Sequence, residues 1–246
     1  MTAAAADSPL LLIEHEPHAG LGRLGDLGGA SIDRRRPDLG DELPPDLSGH
    51  HALVVLGGSM AAWEDDVAPW LPHTRRLLAE AVERELPTLG ICLGAQLLAL
   101  ATGGQVDRGG NGLEVGRVEL RSLAAATDDA LLGPVVDRFG DRFAVAHWHQ
   151  DAIVRLPAGA VLLATGERYP HQAFRLGSAA WGLQYHPEVS VEDWADWMEG
   201  FHGALHPEGL DREQVQQAMT AAEDYFVALA QVHAAAFAAV CRASAR

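Results

Sequence analysis

The sequence contains no lysine, so all 18 of its basic residues are arginine. This absence excludes Schiff-base chemistry on a lysine and any phosphate-binding loop that depends on one. The 34 acidic residues give a formal net charge of −16, which favours solubility and argues against a polyanionic partner such as nucleic acid. We interpret the one basic cluster, Arg34-Arg35-Arg36, as a solvated loop that is too small to bind nucleic acid.

Cysteine is also scarce. Cys92 and Cys241 are the only two, which excludes a disulfide framework and is typical of a reducing compartment, so we expect a cytoplasmic protein. No segment approaches the roughly 18 consecutive apolar residues of a membrane span, and no basic region precedes the first apolar run. We therefore expect neither membrane association nor a signal peptide.

What is present indicates an α/β fold. Buried apolar runs alternate with amphipathic stretches, which is typical of a mostly parallel, open sheet flanked by helices. Strands are predicted at 9–14, 52–56, 88–91, 115–120, 143–147, 161–165, 172–176 and 182–186, and helices at 70–85, 93–102 and 191–205. The segment from about 105 to 185 is predicted to be rich in strands, and 37–49 and 103–112 are predicted loops.

The C-terminal part has a different pattern. Residues 206–212 are predicted to be a linker, and Glu213 to Arg242 carries an apolar stripe at helical spacing. We therefore divide the chain into a domain at 8–205 and a C-terminal helical extension at 206–246. The stripe could bind a partner, but such stripes more often pack on their own domain. Cys241 is interpreted as a packing residue.

Cys92 lies in the most informative stretch, Leu89-Gly90-Ile91-Cys92-Leu93-Gly94-Ala95-Gln96. A strand pattern precedes it and a helical pattern follows, so the thiol is predicted on a tight turn that the flanking glycines permit. The same logic governs the nucleophile elbow of hydrolases. A helix N-terminus favours the thiolate, whereas an isolated cysteine is more often a buried core residue.

Two further stretches supply partners for such a nucleophile. Gly57-Gly58 ends an apolar strand, where backbone N–H groups can approach a ligand, so the amides of Gly58 and Leu93 are candidate oxyanion donors. His186 and Glu188 flank Pro187 after another apolar run. His186 can accept the thiol proton and later protonate a leaving amine, and Glu188 can hold the imidazole in the correct tautomer.

With these motifs in this order, the chain resembles the class I glutamine amidotransferases, and most closely the stand-alone type similar to the amidotransferase half of GMP synthase. The motifs that carry the resemblance are Gly57-Gly58, Gly90 to Gln96, Glu114-Val115-Gly116, Gln172-Ala173-Phe174 and Gly182 to Val189. The resemblance implies a flavodoxin-like fold and hydrolysis of glutamine to glutamate and ammonia through a γ-glutamyl thioester on Cys92. It assigns Cys92, His186 and Glu188 as the triad, and it implies no cofactor.

The resemblance also assigns substrate contacts. Gly57 and Gln96 are expected to help hold the substrate, together with the segment Trp148-His149-Gln150, which matches the family's Ser-His-Gly. Gln150 replaces a glycine there, and Ser59 replaces a proline common in relatives. His147 and His149 are two residues apart on one strand and so invite a metal interpretation. No ligand pairing accompanies them in the sequence, and no metal site is predicted.

Three functions remain open. The first is a glutaminase that passes ammonia to a separate acceptor protein, because the sequence contains no ATP-binding synthetase motif. The second is a hydrolase of γ-glutamyl peptides or amines, which Gln150 favours. The third is a catalytically silent binding module. Failure of a glutamine-mimicking electrophile to alkylate Cys92 at neutral pH would favour it over the two enzymes.

Overall fold

A computed structural model describes residues 8–200 and 211–244, and its centre is a nine-stranded sheet in the order β2-β1-β3-β4-β11-β10-β9-β6-β7. A separate two-stranded sheet pairs β5 with β8. The strands span Leu10–Ile13 (β1), Ile32–Arg35 (β2), Ala52–Val55 (β3), Thr88–Ile91 (β4), Gln105–Arg108 (β5), Glu114–Ser122 (β6), Arg142–His149 (β7), Asp151–Arg155 (β8), Val161–Thr165 (β9), Ala173–Leu176 (β10) and Ala180–Leu183 (β11).

The first five strands of the order, β2-β1-β3-β4-β11, pair in parallel, and the remaining four pair antiparallel. The parallel part has the flavodoxin-like order 2-1-3-4-5. The described helices are Leu71–Glu83 (α1), Leu93–Ala101 (α2), Gly133–Phe139 (α3), Val191–Gly200 (α4), Arg212–Ala221 (α5) and Glu223–Ser244 (α6). The predicted α/β class with a mostly parallel, open sheet is confirmed.

Several predicted boundaries are wrong. Arg34-Arg35 is not loop but lies in the edge strand β2, where Arg34 reaches the carboxylate of Glu14 at 3.4 Å. The predicted loop at 103–112 contains β5. Its sequence lacks the apolar pattern of a strand, because Val106 is its one buried residue. The strand predicted at 182–186 is β11, which ends at Leu183, so His186 lies beyond it. Both β8 and α3 were absent from the prediction.

Two apolar clusters fill the two faces of the sheet. One contains α1 and α2 with alternate residues of β1 and β3, and the other contains residues of the last helix, α6. Phe226, Leu229 and Phe237 of α6 are buried in that second cluster. By length and composition alone this helix could cross a bilayer, but the core helix of a soluble protein meets the same criterion. The apolar stripe predicted in the C-terminal region therefore packs on the chain itself.

Some predicted segments lie outside the described residues. The linker predicted at 206–212 falls mostly in residues 201–210, and so does the end of the helix predicted at 191–205. The described part resumes with Asp211, whose carboxylate accepts hydrogen bonds from the backbone N–H groups of Glu213 and Gln214. Asp211 is thus the N-cap of α5, an assignment typical of aspartate.

Candidate active site

Sheet topology brings three of the sequence motifs to one edge. Strands β3, β4 and β11 are neighbours and run in parallel, so their carboxyl ends meet. Gly57-Gly58 follows β3, Cys92 follows β4, and His186 lies three residues after β11. The crevice at the carboxyl ends of parallel strands is where open α/β sheets bind ligands. Residues separated by about a hundred positions in the sequence therefore share one site.

Cys92 forms the turn between β4 and α2 with a strained backbone. Its φ is +50°, a left-handed value that a residue with a side chain rarely adopts. The Cys92 N–H donates to the carbonyl of Leu183 at 2.8 Å, which ties the turn to β11. The thiol is nearly buried, with 6% of the residue exposed. The predicted elbow is therefore present in the structure.

The flanking glycines are required by close packing. A Cβ on Gly94 would lie 2.0 Å from the carbonyl oxygen of Val55, and one on Gly90 would lie 2.6 Å from the carbonyl of Gly94. Any side chain at these positions would push α2 away from the sheet. Gly90 and Gly94 therefore allow the first turn of α2 to rest directly on β3 and β4, which sets where the sulfur points.

His186 and Glu188 form a buried pair. Nδ1 of His186 lies 2.6 Å from Oε1 of Glu188, and each residue is at most 5% exposed. The backbone holds both residues, because the His186 N–H donates to the Ala146 carbonyl and the Glu188 carbonyl accepts from the Arg23 N–H. With Nδ1 committed to the carboxylate, Nε2 is the ring atom free to exchange a proton with a reacting group.

The charge state of His186 follows from its neighbours. Burial disfavours the imidazolium, but the negative charges of Glu188 and Cys92 outweigh it and raise the pKa of His186 to about 10. A methyl group built on Gly57 would lie 3.2 Å from Cε1 of His186 and 3.7 Å from Cβ of Cys92, so both side chains border one small space. The charges around His186 therefore favour its protonated imidazolium form at neutral pH.

A cavity of about 250 Å³ opens at this point. Pockets that bind drug-sized ligands measure roughly 300–1,000 Å³, so this cavity suits a smaller molecule of about the size of an amino acid. Its lining includes these residues predicted from the sequence: Gly57, Gly58, Cys92, Gln96, Trp148, His149, Gln150 and His186. Leu93 does not line it, but its N–H belongs to the first turn of α2 beside Cys92, where such groups have no partner within the helix.

Sequence reasoning missed several lining residues, including Glu16, Arg108 and Trp197. The Trp197 ring meets the His186 ring edge-on, with centroids 4.9 Å apart. At the mouth, Nε of Arg108 lies 2.8 Å from Oδ1 of Asp151, and Nη1 of Arg108 donates to Oε1 of Gln150 at 3.4 Å. No local pattern marks the contact of Arg108 with Asp151, because only the pairing of β5 with β8 places these two residues opposite each other.

Buried amides link the cavity floor to the thiol. Nε2 of Gln96 donates to the Asp151 carbonyl at 2.9 Å and lies 3.3 Å from Oε1 of Gln184. Nε2 of Gln184 lies 3.7 Å from the sulfur of Cys92. Gln184 was not singled out from the sequence. Its one signal there is that it stands two residues before His186.

Below the cavity lies a buried acid–histidine cluster. Oε2 of Glu114 accepts from Nε2 of Gln172 at 2.8 Å and lies 3.0 Å from Nε2 of His149. Nδ1 of His149 faces the Asp151 carbonyl at 2.9 Å, so this ring fixes the same loop that Gln96 holds. The β6–β7 pairing supplies the carboxylate, because Glu114 stands opposite His149.

His147 completes that cluster, and its ligand atoms with those of Glu114 and His149 lie within 4.8 Å of one another. Such a set could hold a metal ion in principle. Burial, with the nearby charges of His149 and His186, holds the pKa of His147 well below its usual value. However, Glu114 and His149 already satisfy each other by hydrogen bonding, and the expectation that no metal binds stays a prediction.

Comparison with known proteins places this geometry in a family. The model of the glutamine amidotransferase class I family matches residues 36–201. Gamma-glutamyl peptidase 5 of Arabidopsis thaliana is 32% identical over 65% of this chain and 61% of its own length. A putative glutamine amidotransferase-like protein of Salmonella typhimurium is 31% identical over 67% of both chains. GMP synthase of Porphyromonas gingivalis is 34% identical, and the match spans 27% of that protein.

Solved structures agree with the fold. A glutamine amidotransferase from Thermotoga maritima superposes with a TM-score of 0.81, at 29% identity, over 94% of this chain and 98% of that one. A glutamine amidotransferase from Methylobacillus flagellatus gives a TM-score of 0.81 at 25% identity, over 95% of each chain. Since the family model matches more than half of the sequence, this chain belongs to the class I glutamine amidotransferases.

Proposed function

We propose that the chain hydrolyses the γ-carboxamide of glutamine through a thioester on Cys92, and that Cys92, His186 and Glu188 form its triad. The observation that carries this proposal is the 2.6 Å contact from Glu188 to Nδ1 of His186, which leaves Nε2 for the cavity beside the strained Cys92 turn. Nucleophile, base and orienting carboxylate in this order are the parts that thiol-dependent acyl transfer needs.

The steps follow from these positions. The Cys92 thiolate attacks the γ-carbonyl carbon, and the oxygen that becomes negative accepts hydrogen bonds from the Gly58 and Leu93 amides. Two such donors are worth about 3–4 kcal/mol each in comparable acyl transfers. His186 gives its proton to the departing nitrogen, so ammonia leaves and a γ-glutamyl thioester remains. Water, deprotonated by His186, then attacks the thioester carbonyl, releases glutamate and regenerates the thiolate.

The amino-acid end of the substrate is proposed to lie toward the mouth. Trp148, His149 and Gln150 line the cavity, with Gln150 beside Arg108 at its mouth, and Gly57 borders the space next to His186. We propose further that the enzyme is cytoplasmic and uses no cofactor, and that the ammonia passes to a separate acceptor protein. The similarity to GMP synthase, a relative that joins glutamine hydrolysis to a synthase activity in one chain, supports transfer of the ammonia to an acceptor.

The test is release of ammonia and glutamate from glutamine by the purified chain. We expect turnover by the wild type and none by Cys92→Ala, which keeps the fold because only a small side chain at the cavity is changed. A second measurement is the covalent labelling of Cys92 by a glutamine-mimicking electrophile, which reports whether the Cys92 thiol acts as a nucleophile. A wild-type chain that neither turns over any γ-glutamyl compound nor labels at Cys92 would instead be a binding module.

A second candidate is hydrolysis of γ-glutamyl peptides or amines. It is favoured by Gln150, whose side chain meets Arg108 at the cavity mouth, and by the similarity to a γ-glutamyl peptidase. A panel of γ-glutamyl dipeptides and amines measured against glutamine separates the two. A kcat/KM for glutamine higher than for every other member removes this candidate, and the opposite order replaces the first proposal.

A further inference from the structure

A glutamine outside the proposed triad makes direct contact with the nucleophile. Gln184 is 1% exposed, and its backbone N–H donates to the Gln172 carbonyl at 2.9 Å. Its side-chain nitrogen lies 3.7 Å from the sulfur of Cys92, within the range of an N–H···S hydrogen bond. The proposed mechanism assigns no task to this side chain.

The orientation of the Gln184 amide follows from its neighbours. The Asp151 carbonyl can only accept a hydrogen bond, so the atom of Gln96 that faces it at 2.9 Å must be the –NH2 group. That same –NH2 group lies 3.3 Å from the nearest side-chain atom of Gln184, which must therefore be the oxygen. The –NH2 group of Gln184 is left facing the sulfur, because the reverse orientation would place two donors against each other.

We propose that Gln184 is a positioning residue for the nucleophile, whose amide donates a hydrogen bond to the Cys92 thiolate and holds it toward the cavity. This inference rests on the proposed function only in taking Cys92 as the nucleophile. Hydrogen bonds to an ionised group are stronger than those between neutral groups. Gln96, predicted to hold the substrate, acts here through Gln184. Its side-chain –NH2 group donates hydrogen bonds to the Gln184 amide oxygen and to the Asp151 carbonyl, and so fixes the Gln184 amide against the sulfur.

The sequence spacing supports this role. Gln184 and His186 are two residues apart and both reach Cys92, whereas Tyr185 between them points into the core, where its hydroxyl meets His233 at 2.8 Å. One segment thus presents an amide and an imidazole to the sulfur together. The helix dipole of α2 adds a third favourable contribution to the thiolate.

The experiment is the rate of Cys92 alkylation by iodoacetamide as a function of pH, read by mass spectrometry of the Cys92 peptide. In Gln184→Met, which has similar volume but no donor, we expect the profile to move about one pH unit higher because the thiolate loses a charge-assisted hydrogen bond. Gln96→Met removes the hydrogen bond to the Gln184 amide, so it should shift the alkylation profile in the same direction by a smaller amount. Burial raises the pKa of Cys241 to about 12, so the second cysteine stays unreactive.

Matched controls separate this role from a structural one. Gln172→Met removes another buried amide, one that bonds Glu114 instead of the sulfur, and should lower stability without moving the profile. Gln217→Met makes the same chemical change on an exposed face of α5 and should alter neither the stability nor the alkylation profile. Superimposable profiles for the wild type and both Gln184→Met and Gln96→Met would overturn the proposal. Alkylation needs no substrate, so failure of the glutaminase assay leaves this readout intact.

Discussion

The electrostatics of the site are concentrated in His186. Glu188 and Cys92 place two negative charges against one buried ring, and together they outweigh the cost of burying the imidazolium. The ring is also fixed on the other side by the edge-on contact with Trp197. In the proposed mechanism, the proton donor for the leaving group is therefore charged and oriented before the substrate arrives, which would lower reorganisation during the reaction.

At this scale we predict the effect of Glu188→Gln. The substitution keeps the shape but removes the charge that stabilises the imidazolium, so kcat should fall by about two to four orders of magnitude, the range of general acid–base contributions. The pKa of His186, followed by NMR of the ring, should fall below about 10. Glu192→Gln, on the exposed side of α4, is the matched control. Unchanged kcat in Glu188→Gln would contradict the triad assignment.

Among the elements, the β4–α2 unit decides where Cys92, the proposed nucleophile, lies. The helix begins directly after the strand, and it can do so only because Gly90 and Gly94 leave no side chain between helix and sheet. The positive φ of Cys92 is the strained joint of this unit, held by the Cys92 N–H bond to Leu183. Backbone strain of this kind is maintained by the packing around it.

For this unit we predict that Gly94→Ala lowers the free energy of unfolding by about 3 kcal/mol or more, since the new Cβ meets the Val55 carbonyl at 2.0 Å. The helix must shift, so Cys92 alkylation should slow as well. Denaturant unfolding and the alkylation rate measure both effects. Gly49→Ala is the control, because its Cβ would meet nothing within 4 Å. A Gly94→Ala chain as stable as Gly49→Ala would show that the close packing does not exist.

Across the whole molecule, buried neutral histidines connect stability to pH. Burial lowers the pKa values of His15 and His233 to about 4. Each neutral ring accepts a hydrogen bond: His15 from the Trp70 indole N–H, which protonation would break, and His233 from the Tyr185 hydroxyl, which protonation would force to reverse. His233 also joins α6 to the segment that precedes His186, so the last helix supports the site.

We therefore predict that the chain loses stability on acidification between pH 6.5 and about 4. In this window the unfolded state binds more protons than the folded state, so the free energy of unfolding rises with pH, by up to about 1.4 kcal/mol per pH unit for each such group. His233→Gln keeps an acceptor for Tyr185 but cannot titrate. Denaturant unfolding at a series of pH values should give a smaller slope for this variant, and for His15→Gln. Slopes equal to that of the wild type would refute the prediction.

The sequence alone indicated four of the five parallel strands, β1, β3, β4 and β11, because fully buried strands read as apolar runs. It also located the Cys92 elbow and the His186–Glu188 motif through glycine and proline. Only the tertiary structure showed that Ile32–Arg35 is a strand, since pairing with β1 and the ion pair to buried Glu14 stabilise it. Likewise, the sequence did not reveal the contacts that Gln184, Glu114 and Arg108 make. Their roles depend on strand pairing and long-range hydrogen bonds, which bring together groups that are distant along the chain.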